Sequence, residues 1–465
     1  MPPLRNPIVV AAIVACAFFM ETLDSTVIVT ALPRMAEAFG SSPVRLSLGL
    51  TAYIITLAIV IPASGWIADR LGTRNVFCAA IGIFTVASVL CGFSNSVAEF
   101  VLARILQGVG CAMMSPVGRL VVLRSTERKD LVRVMNFVTL PGLIGPIIGP
   151  PVGGFITTYL SWRYIFFLNV PVGLFGMALV FGWIRNFYGV TRRPFDALGF
   201  ALNGVGLATL IYGMDLLGHR GAERDGLILV VVGLVVGVVA IVHALRARHP
   251  LVDLGALRVP SFHAVNAGGA FFRMAISGPT FVLPLLFQVG LGMTAFASGL
   301  LLLVHAAGDF AAKAVTTRLI RGVGFRAILL WTTVAFAASI AACAAFTAAT
   351  PLWLILPVLF VSGVCRSLQM TSQTAFQFAQ IPHDAVTAAS TLSSALLQVV
   401  RAIGVAAAAA VLSLSLALRG GDMLNLGDFR VGMLAIAAIA LGSLFWYVPL
   451  HPASGADLSG HKAGR

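Results

Sequence analysis

The chain has little charge. Only 10% of its 465 residues are Asp, Glu, Lys or Arg, whereas about 25% is usual in soluble domains. Hydrophobic residues make up 59% of the chain, and the mean hydropathy is +0.97. This composition excludes a soluble globular protein and indicates a polytopic membrane protein. The net charge of +14 then reflects basic residues beside a lipid bilayer, and we expect no nucleic-acid partner.

Motifs of catalysis are missing too. No HExxH, GxSxG or ATP-binding P-loop occurs, and the six cysteines form no CxxC pair and lie in or beside apolar runs. A repeated pore segment, which a channel would need, is not visible. We therefore expect neither an enzyme nor a primary pump, and no metal or cofactor. A polytopic membrane enzyme is the remote alternative.

Apolar runs predict fourteen membrane-spanning helices, because about 20 apolar residues cross the hydrocarbon core as a helix. The predicted spans are 8–30, 44–64, 75–93, 97–120, 134–157, 163–184, 197–214, 226–245, 262–289, 294–316, 326–348, 351–375, 385–416 and 429–449. They form groups of six, two and six, with basic linkers around the central pair. We predict an N-terminal half over 1–193, two additional helices over 194–250 and a C-terminal half over 251–465.

The basic residues outside the spans set the orientation. With both termini in the cytoplasm, nineteen lie on the inner side and seven on the outer side, as the positive-inside rule requires. The first span is followed by TALPRM and not by a small-residue cleavage site, so we expect a retained helix. We predict a multi-pass protein of the cell inner (cytoplasmic) membrane, functional as a monomer, with both termini cytoplasmic.

Two acids interrupt the first span. Glu21 and Asp24 lie in FFMETLDSTVIVTALP, residues 18–33, at a depth where an ionisable group must be paired, protonated or hydrated. Their three-residue spacing places them on one helix face, where they resist being ionised together. We predict that one of them holds a proton. The alternative is that each acid is neutralised by a buried arginine and only joins two helices.

The fourth span contains Arg104 and Gln107 in LARILQGVGCA. A buried arginine needs an anionic partner or water. Either Glu21 or Asp24 is the candidate partner, and the sequence does not decide between them.

The loop GWIADRLGTRN, residues 65–75, places Asp69 beside Arg70 and Arg74 at two helix ends. We predict a cytoplasmic latch there; the alternative is a tight turn with solvated charges. The segment TRLIRGVGFR, residues 317–326, also closes with glycine, one residue and arginine. This faint similarity indicates an internal repeat of six helices.

The fifth span reads PGLIGPIIGPPVGG over residues 141–154. Proline removes backbone hydrogen bonds, and glycines spaced by four residues form a flat face for another helix. We predict a bent and tightly packed helix; the alternative is a kink with a purely structural role.

Further charged residues lie within the spans of the C-terminal half. Asp309 and Lys313 are four residues apart, so we predict an intramembrane charge pair along one helix face. Arg366 begins the polar stretch RSLQMTSQTAFQ, which predicts a cavity lining. Arg273 and Arg401 are the other arginines within these spans.

Together these motifs resemble the major facilitator superfamily, and within it the fourteen-span drug:proton antiporters. The matching segments are LDSTVIVTALP, GWIADRLGTR, LARILQGVG, GPIIGPPVGG, WRYIFFLNVPVG at 162–173 and LPLLFQVGLG at 283–292. The resemblance implies the major facilitator fold, with Asp24 as the first-span motif acid and Arg104 as the arginine of proton coupling. It also implies gating by Asp69 and Arg70 and an antiporter bend at Gly145, Pro146, Gly149, Gly153 and Gly154.

We therefore predict a proton-coupled secondary transporter that exports amphipathic small molecules or drugs by alternating access. Its partners are protons, the small-molecule substrate and the bilayer. Proton coupling is assigned to Asp24, Glu21 and Arg104, and gating to the residues named above together with Arg74. The predicted substrate cavity comprises Gln107, Arg273, Gln288, Arg366, Gln369 and Gln373. The alternative is a proton-coupled or facilitative transporter of a polar metabolite or organic anion, because the arginines within the spans outnumber the acids.

Overall fold

The computed structural model describes residues 7–126, 131–188, 194–217, 222–247, 250–251, 254–377, 380–381, 386–421 and 423–450. These residues form helices and connecting turns, and no strand occurs among them. The long helices are α1 (Ile8–Ala38), α2 (Pro43–Leu71), α3 (Thr73–Phe93), α4 (Val97–Ser125), α5 (Leu131–Tyr159), α6 (Tyr164–Trp183), α7 (Ala197–Leu216), α8 (Glu223–Arg246), α9 (Pro260–Gly290), α10 (Ala295–Thr316), α11 (Gly322–Cys343), α12 (Leu352–Gln377), α13 (Val386–Arg419) and α14 (Leu426–Tyr447).

The predicted all-α membrane fold is confirmed. In the described part of the chain, thirteen helices are long and apolar enough to cross a membrane. The helix α5, 29 residues long, takes the place of the remaining predicted span. Large apolar side chains are exposed along these helices, for example Leu227, Val231, Val235 and Val238 of α8 at 51–60%. Such a surface suits hydrocarbon, and the chain is a multi-pass membrane protein.

Local chemistry fixes where several helices begin. The side chains of Ser42 and Ser96 accept hydrogen bonds from backbone N–H groups of the first turns of α2 and α4. Asn425 and Asp428 form a reciprocal capping box at the start of α14. Each cap satisfies donors that have no partner within the helix.

Two glycines with positive φ occupy corresponding places in the two loops that predicted the repeat. Gly72 separates α2 from α3 with a φ of +88°, and Gly324 interrupts the helical run of α10 and α11 with a φ of +78°. Glycine adopts this conformation without the steric cost that a side chain adds. The backbone therefore supports the internal repeat that the sequence indicated faintly.

Backbone contacts divide the chain into two compact units. The first comprises residues 1–208 and 235–251, and the second comprises 209–234 and 252–465. This division passes through α7 and α8. The predicted domain boundary at residue 193 and the two chain ends, 1–6 and 451–465, lie outside the described residues.

The helix pairs of the first unit recur in the second unit eight helices later. In the first unit α1 packs on α4, α5 and α6, while α4 also contacts α2 and α3. In the second unit α9 packs on α12, α13 and α14, while α12 also contacts α10 and α11. Each unit thus contains the same arrangement of six helices.

Candidate functional site

The two acids of the first span face the same neighbour, α4. Asp24 is buried and Glu21 is half-buried, and both accept hydrogen bonds from side chains of that helix. The predicted shared face is therefore confirmed. Their partners differ, however, so the two carboxylates lie in different environments.

Asp24 is held by three donors from two other helices. Its Oδ2 atom accepts from Arg104 Nη1 at 2.7 Å, and its Oδ1 atom accepts from Gln107 Nε2 at 2.9 Å and from Asn169 Nδ2 at 2.8 Å. The side chains of Asp24 and Arg104 are 0% and 1% exposed. A buried ion pair offsets its desolvation only when further hydrogen bonds satisfy the remaining lone pairs, and these amides supply them. Asp24 is thus the partner of Arg104.

The surroundings of Arg104 complete this cluster. Its guanidinium lies 4.2 Å from the ring centroid of Tyr53 and donates a second hydrogen bond to Gln107 Oε1. Ser88 Oγ on α3 accepts from Gln107 at 2.8 Å and from Asn169 at 3.2 Å. The buried Nε atom of Arg104 has no hydrogen-bond partner. The cluster therefore joins α1, α2, α3, α4 and α6 around a single carboxylate.

Glu21 has a less enclosed site. Its Oε2 atom accepts from Ser115 Oγ on α4, and the side chain is half-buried. Nearby, Tyr53 donates from its hydroxyl to Cys111 Sγ at 2.9 Å. A half-buried carboxylate within a membrane span is a candidate for binding a proton or a cation.

The glycines of α5 meet a row of hydroxyls on α1. A methyl group added at Gly145 would lie 2.2 Å from Thr22 Oγ1, and one at Gly149 would lie 2.0 Å from Thr26 Oγ1. At Gly153 the added group would lie 2.4 Å from a backbone carbonyl of α1 and 2.6 Å from Thr30 Oγ1. The predicted tight packing of the fifth span is therefore confirmed, and its partner is the helix that carries both acids. We call this interface the threonine–glycine ladder.

The other two members of the predicted bend lie on the same helix. Pro146 is half-buried and Gly154 is buried. The helix continues through its prolines over Leu131–Tyr159.

At the loop between α2 and α3 the charges pair differently from the expected arrangement. Asp69 Oδ1 accepts from Arg124 Nη2 on α4 at 2.8 Å, with side-chain exposures of 41% and 28%. Arg70 instead lies 5.3 Å from the ring centroid of Trp66. The side chain of Arg74 donates weakly to Asn75 at 3.4 Å. The latch thus links α2 to the end of α4, because the carboxylate points away from its neighbours in sequence.

The segment that follows α6 also binds this loop. The N–H of Arg74 donates to Asn186 Oδ1 at 3.0 Å, and the N–H of Thr73 donates to the carbonyl of Phe187 at 2.9 Å. In the second unit Arg326 donates to the carbonyl of Val448, just after α14, at 2.8 Å. Each unit therefore fastens its loop to the end of its sixth helix.

The predicted pair of Asp309 and Lys313 is wrong. Asp309 Oδ2 accepts from Arg366 Nη2 on α12 at 2.7 Å, and the side chain of Lys313 is exposed. Gly363 lets α12 approach α10 closely at this level, since a Cβ there would lie 1.9 Å from a backbone oxygen of His305. The close contact brings the arginine across to the acid.

The remaining residues of the predicted cavity fall into separate places. Gln107 belongs to the Asp24 cluster in the first unit. In the second unit Arg273 donates to Gln373 at 3.0 Å, while Gln369 binds Thr332 and Thr333 on α11. Gln288 lies in a short π-helical turn at the end of α9, and its Nε2 atom has no hydrogen-bond partner. Arg366 is held by Asp309, as described above.

Asp196 joins the two linkers that flank the central helices. It caps α7 by accepting from the N–H of Gly199 at 2.8 Å, contacts His243 Nε2 at 2.8 Å and accepts from the N–H of Leu251 at 3.1 Å. Burial alone would raise the pKa of this carboxyl group. The hydrogen bonds from Gly199, His243 and Leu251 outweigh burial and hold the pKa below its ordinary value. We call this arrangement the Asp196 clasp.

Several site residues were missed by the sequence reasoning. They are Tyr53, Ser88, Ser115, Arg124 and Asn169. Asn169 was the easiest of them to predict, because it is a polar residue of the WRYIFFLNVPVG segment at the start of an apolar helix. The serines and Tyr53 gave no signal, since such residues are common in membrane helices.

A family model described as Major Facilitator Superfamily matches residues 14–404 of the chain. The chain belongs to the Major Facilitator Superfamily. It is accordingly a transporter and not an enzyme.

Relatives within the Major Facilitator Superfamily include proteins of Escherichia coli strain SE11 and Escherichia coli O157:H7 strain EC4115, both named "Putative multidrug resistance protein MdtD". Each is 37% identical to this chain over 407 residues, which covers 86% of this chain and 85% of the relative. The solved structure of the POT family transporter PepTSo has a TM-score of 0.70 at 13% identity and covers 99% of this chain and 100% of its own. A bacterial homologue of the human lysosomal transporter Spinster, inward-facing and unoccupied, has a TM-score of 0.64 at 14% identity and covers 100% of both chains.

Proposed function

We propose that this transporter is a proton-coupled exporter of amphipathic small molecules that works by alternating access. The observation that carries the proposal is the buried carboxylate of Asp24, held by Arg104, Gln107 and Asn169 inside apolar helices. Ionisable groups at such depth are typical of proton pathways and substrate sites. The names of the Escherichia coli relatives support drug-like substrates.

Protonation of Asp24 would change how α1 and α4 hold together. The ionised carboxylate attracts the guanidinium of Arg104 across 2.7 Å in a medium without water. A proton on Asp24 removes that attraction and leaves Arg104 with Gln107 and the ring of Tyr53. Proton binding thereby releases α1 from α4. Proton coupling requires such a link between protonation and helix movement.

Glu21 is the second acid of the proposed mechanism. Because Glu21 is half-buried and accepts a hydrogen bond from Ser115, we assign it as the second acid that binds a proton or a cationic substrate. The proton and the cationic substrate compete for the acids of α1, and this competition couples export to proton entry. A membrane potential supplies about 2.3 kcal/mol per charge per 100 mV, which is sufficient to drive uphill export.

The proposed gating elements are the Asp69–Arg124 pair and the threonine–glycine ladder. The Asp69–Arg124 pair is half-exposed and can open with little loss of free energy, since surface ion pairs contribute at most about 1 kcal/mol. The threonine–glycine ladder keeps α1 close to α5 while α1 moves. We propose that the protein acts as a monomer in the inner membrane, with both termini in the cytoplasm.

The test is internal pH in proteoliposomes with an imposed proton gradient and a panel of lipophilic cations, organic anions and zwitterions. We expect particular cations to dissipate the gradient with wild type and not with Asp24→Asn. The matched control is Glu37→Gln, which removes an acid 65% exposed at the outer end of the same helix and should transport normally. Full drug-dependent proton flux in Asp24→Asn would refute the proposal.

A second candidate is a proton-coupled or facilitative transporter of a polar metabolite or organic anion. Arg273 favours it, because this buried arginine forms no ion pair among the described residues. In the same assay, anion-dependent flux that survives Asp24→Asn would select this candidate.

A further inference from the structure

A positive charge is buried in the second unit among neutral groups. Arg273 on α9 is 5% exposed. Its guanidinium donates to Gln373 Oε1 at 3.0 Å, to Gln377 Oε1 at 3.1 Å and to Asn266 Oδ1 at 3.3 Å. All three acceptors are side-chain amides, so none of these contacts neutralises the charge.

No carboxylate of the described residues forms an ion pair with this guanidinium. Among the described residues, the ion pairs that the chain forms do not include Arg273. Arg104 in the first unit is buried to a similar degree, and it has Asp24 at 2.7 Å. Taking an arginine out of water without a counter-charge costs several kcal/mol. Within the described residues, Arg104 thus has an aspartate as its partner, whereas Arg273 has amides.

Hydrogen-bond donors remain available beside this charge. A guanidinium has five N–H donors, and the three bonds to amides leave two without a protein acceptor. Gln377 is 1% exposed, its Oε1 atom accepts from Arg273, and its Nε2 atom has no hydrogen-bond partner among the described residues. Because the two polar atoms of an amide are adjacent, the free N–H₂ group lies next to the guanidinium.

A second cation reinforces the positive potential. Arg401 on α13 is close enough for its charge to act on Arg273, and the other titratable group that acts on it is Tyr447. Gly269 makes room for this arrangement, since a Cβ there would lie 2.9 Å from Gln373 Oε1. Arg273 is buried and Arg401 is exposed, and two like charges near each other favour an anion between or beside them.

We propose that Arg273 and Gln377 form a binding site for the anionic group of a transported amphiphile, a carboxylate by preference. A carboxylate accepts two parallel N–H bonds from a guanidinium, and the free amide of Gln377 supplies a third donor. An anionic lipid offers similar head-group oxygens, but we assign the site to cargo. This assignment rests on the second candidate function, the transport of an organic anion, whereas binding itself needs no proton gradient.

The test is calorimetric titration of the purified protein with naphthalene-2-carboxylate and with the neutral naphthalene-2-carboxamide. We expect the carboxylate to bind the wild type more tightly than the amide does. Arg273→Gln should weaken carboxylate binding by roughly ten-fold or more and leave amide binding unchanged, and Arg273→Lys should retain part of it. Arg430→Gln, an exposed arginine of the same unit, is the control.

A second variant remains informative if Arg273→Gln does not fold. Gln377→Glu places a carboxylate where an oxygen already lies 3.1 Å from Arg273 Nη2, so it supplies the missing counter-charge within the protein. We expect Gln377→Glu to be at least as heat-stable as the wild type and to lose carboxylate binding. A stable Gln377→Glu protein that binds the carboxylate like the wild type would overturn the proposal.

Two further measurements are needed. One distinguishes a cargo carboxylate from a lipid head group as the ligand, and the other distinguishes anion binding from the proposed proton coupling. Titration with phosphatidylglycerol and phosphatidylcholine in mixed micelles shows whether a lipid is the ligand. Binding of phosphatidylglycerol that depends on Arg273, without binding of the carboxylate, would overturn the assignment to cargo, and so would binding of neither. Asp24→Asn should bind the carboxylate like the wild type, so a failure of proton coupling leaves this inference unaffected.

Discussion

Asn169 on α6 donates a hydrogen bond to Asp24 on α1, with 2.8 Å between Nδ2 and Oδ1. The same amide group is 3.2 Å from Ser88 Oγ on α3. One side chain thus joins three helices around the carboxylate to which we assign proton coupling. Asn169 acts through Asp24, which makes it a positioning residue.

We expect Asn169→Ala to reduce drug-dependent proton flux in proteoliposomes. A hydrogen bond to a charged group contributes about 1.5–3 kcal/mol, and Arg104 and Gln107 keep the carboxylate in the fold after its loss. The control is Asn203→Ala, because Asn203 donates to the carbonyl of Gly199 one turn earlier in α7. Equal flux per folded molecule in both variants would contradict this role.

We expect Gly149→Ala to destabilise the protein by about 1–3 kcal/mol, the usual range for an overpacked interface. The added methyl group would lie 2.0 Å from Thr26 Oγ1, so α1 and α5 must separate. Combining it with Thr26→Ala should recover part of the loss. Thermal unfolding in detergent measures the effect, and Gly237→Ala, with no atom within 4 Å of the new group, should unfold like the wild type.

The Asp196 clasp should contribute stability that depends on pH. Because the pKa of Asp196 is held below its ordinary value of 3.8, the contribution is complete above that value and is lost as the pH falls through the lowered pKa. We expect Asp196→Ala to lose about 0.5–2 kcal/mol at pH 7 through the missing helix cap. The difference from wild type should shrink below pH 3.8. Asp225→Ala, at an exposed acid of α8, serves as the control.

Asp309 and Lys313 should differ in their effect on stability. Asp309→Asn leaves Arg366 without its carboxylate, and since both groups are about a quarter exposed we expect a loss of roughly 1 kcal/mol. Lys313→Gln should change the melting temperature little, because this side chain is exposed. A larger effect from Lys313→Gln would show that the acid has a different partner in the folded protein.

The helices could be predicted from the sequence because apolar length alone decides whether a segment can cross a membrane. The charged candidates could be found for the same reason, since Glu21, Asp24 and Arg104 interrupt apolar runs. Which of these residues form pairs could not be predicted. Which acid meets Arg104 depends on how two helices are rotated and aligned, and the sequence of each helix contains only its own periodicity.

The wrong pair in the second unit shows the same limit. Asp309 and Lys313 have the spacing of a helical ion pair. Gly363, however, lets α12 approach so closely that Arg366 pairs with the acid instead of Lys313. Contacts between helices thus prevailed over contacts along one helix. Asn169 was missed because a single amide in an apolar segment has many structural explanations.

The threonine–glycine ladder repeats every four residues on both helices, and the two rows run in the same direction. A slip of α1 by four residues, about 6 Å along its axis, would bring Thr22 opposite Gly149. Thr26 would then lie opposite Gly153, so two of the three threonine–glycine contacts would form again. The same slip would carry Asp24 beyond hydrogen-bonding distance of Arg104. The ladder therefore allows a second register for α1 with two of its three contacts, and only the observed register keeps the carboxylate and the guanidinium together.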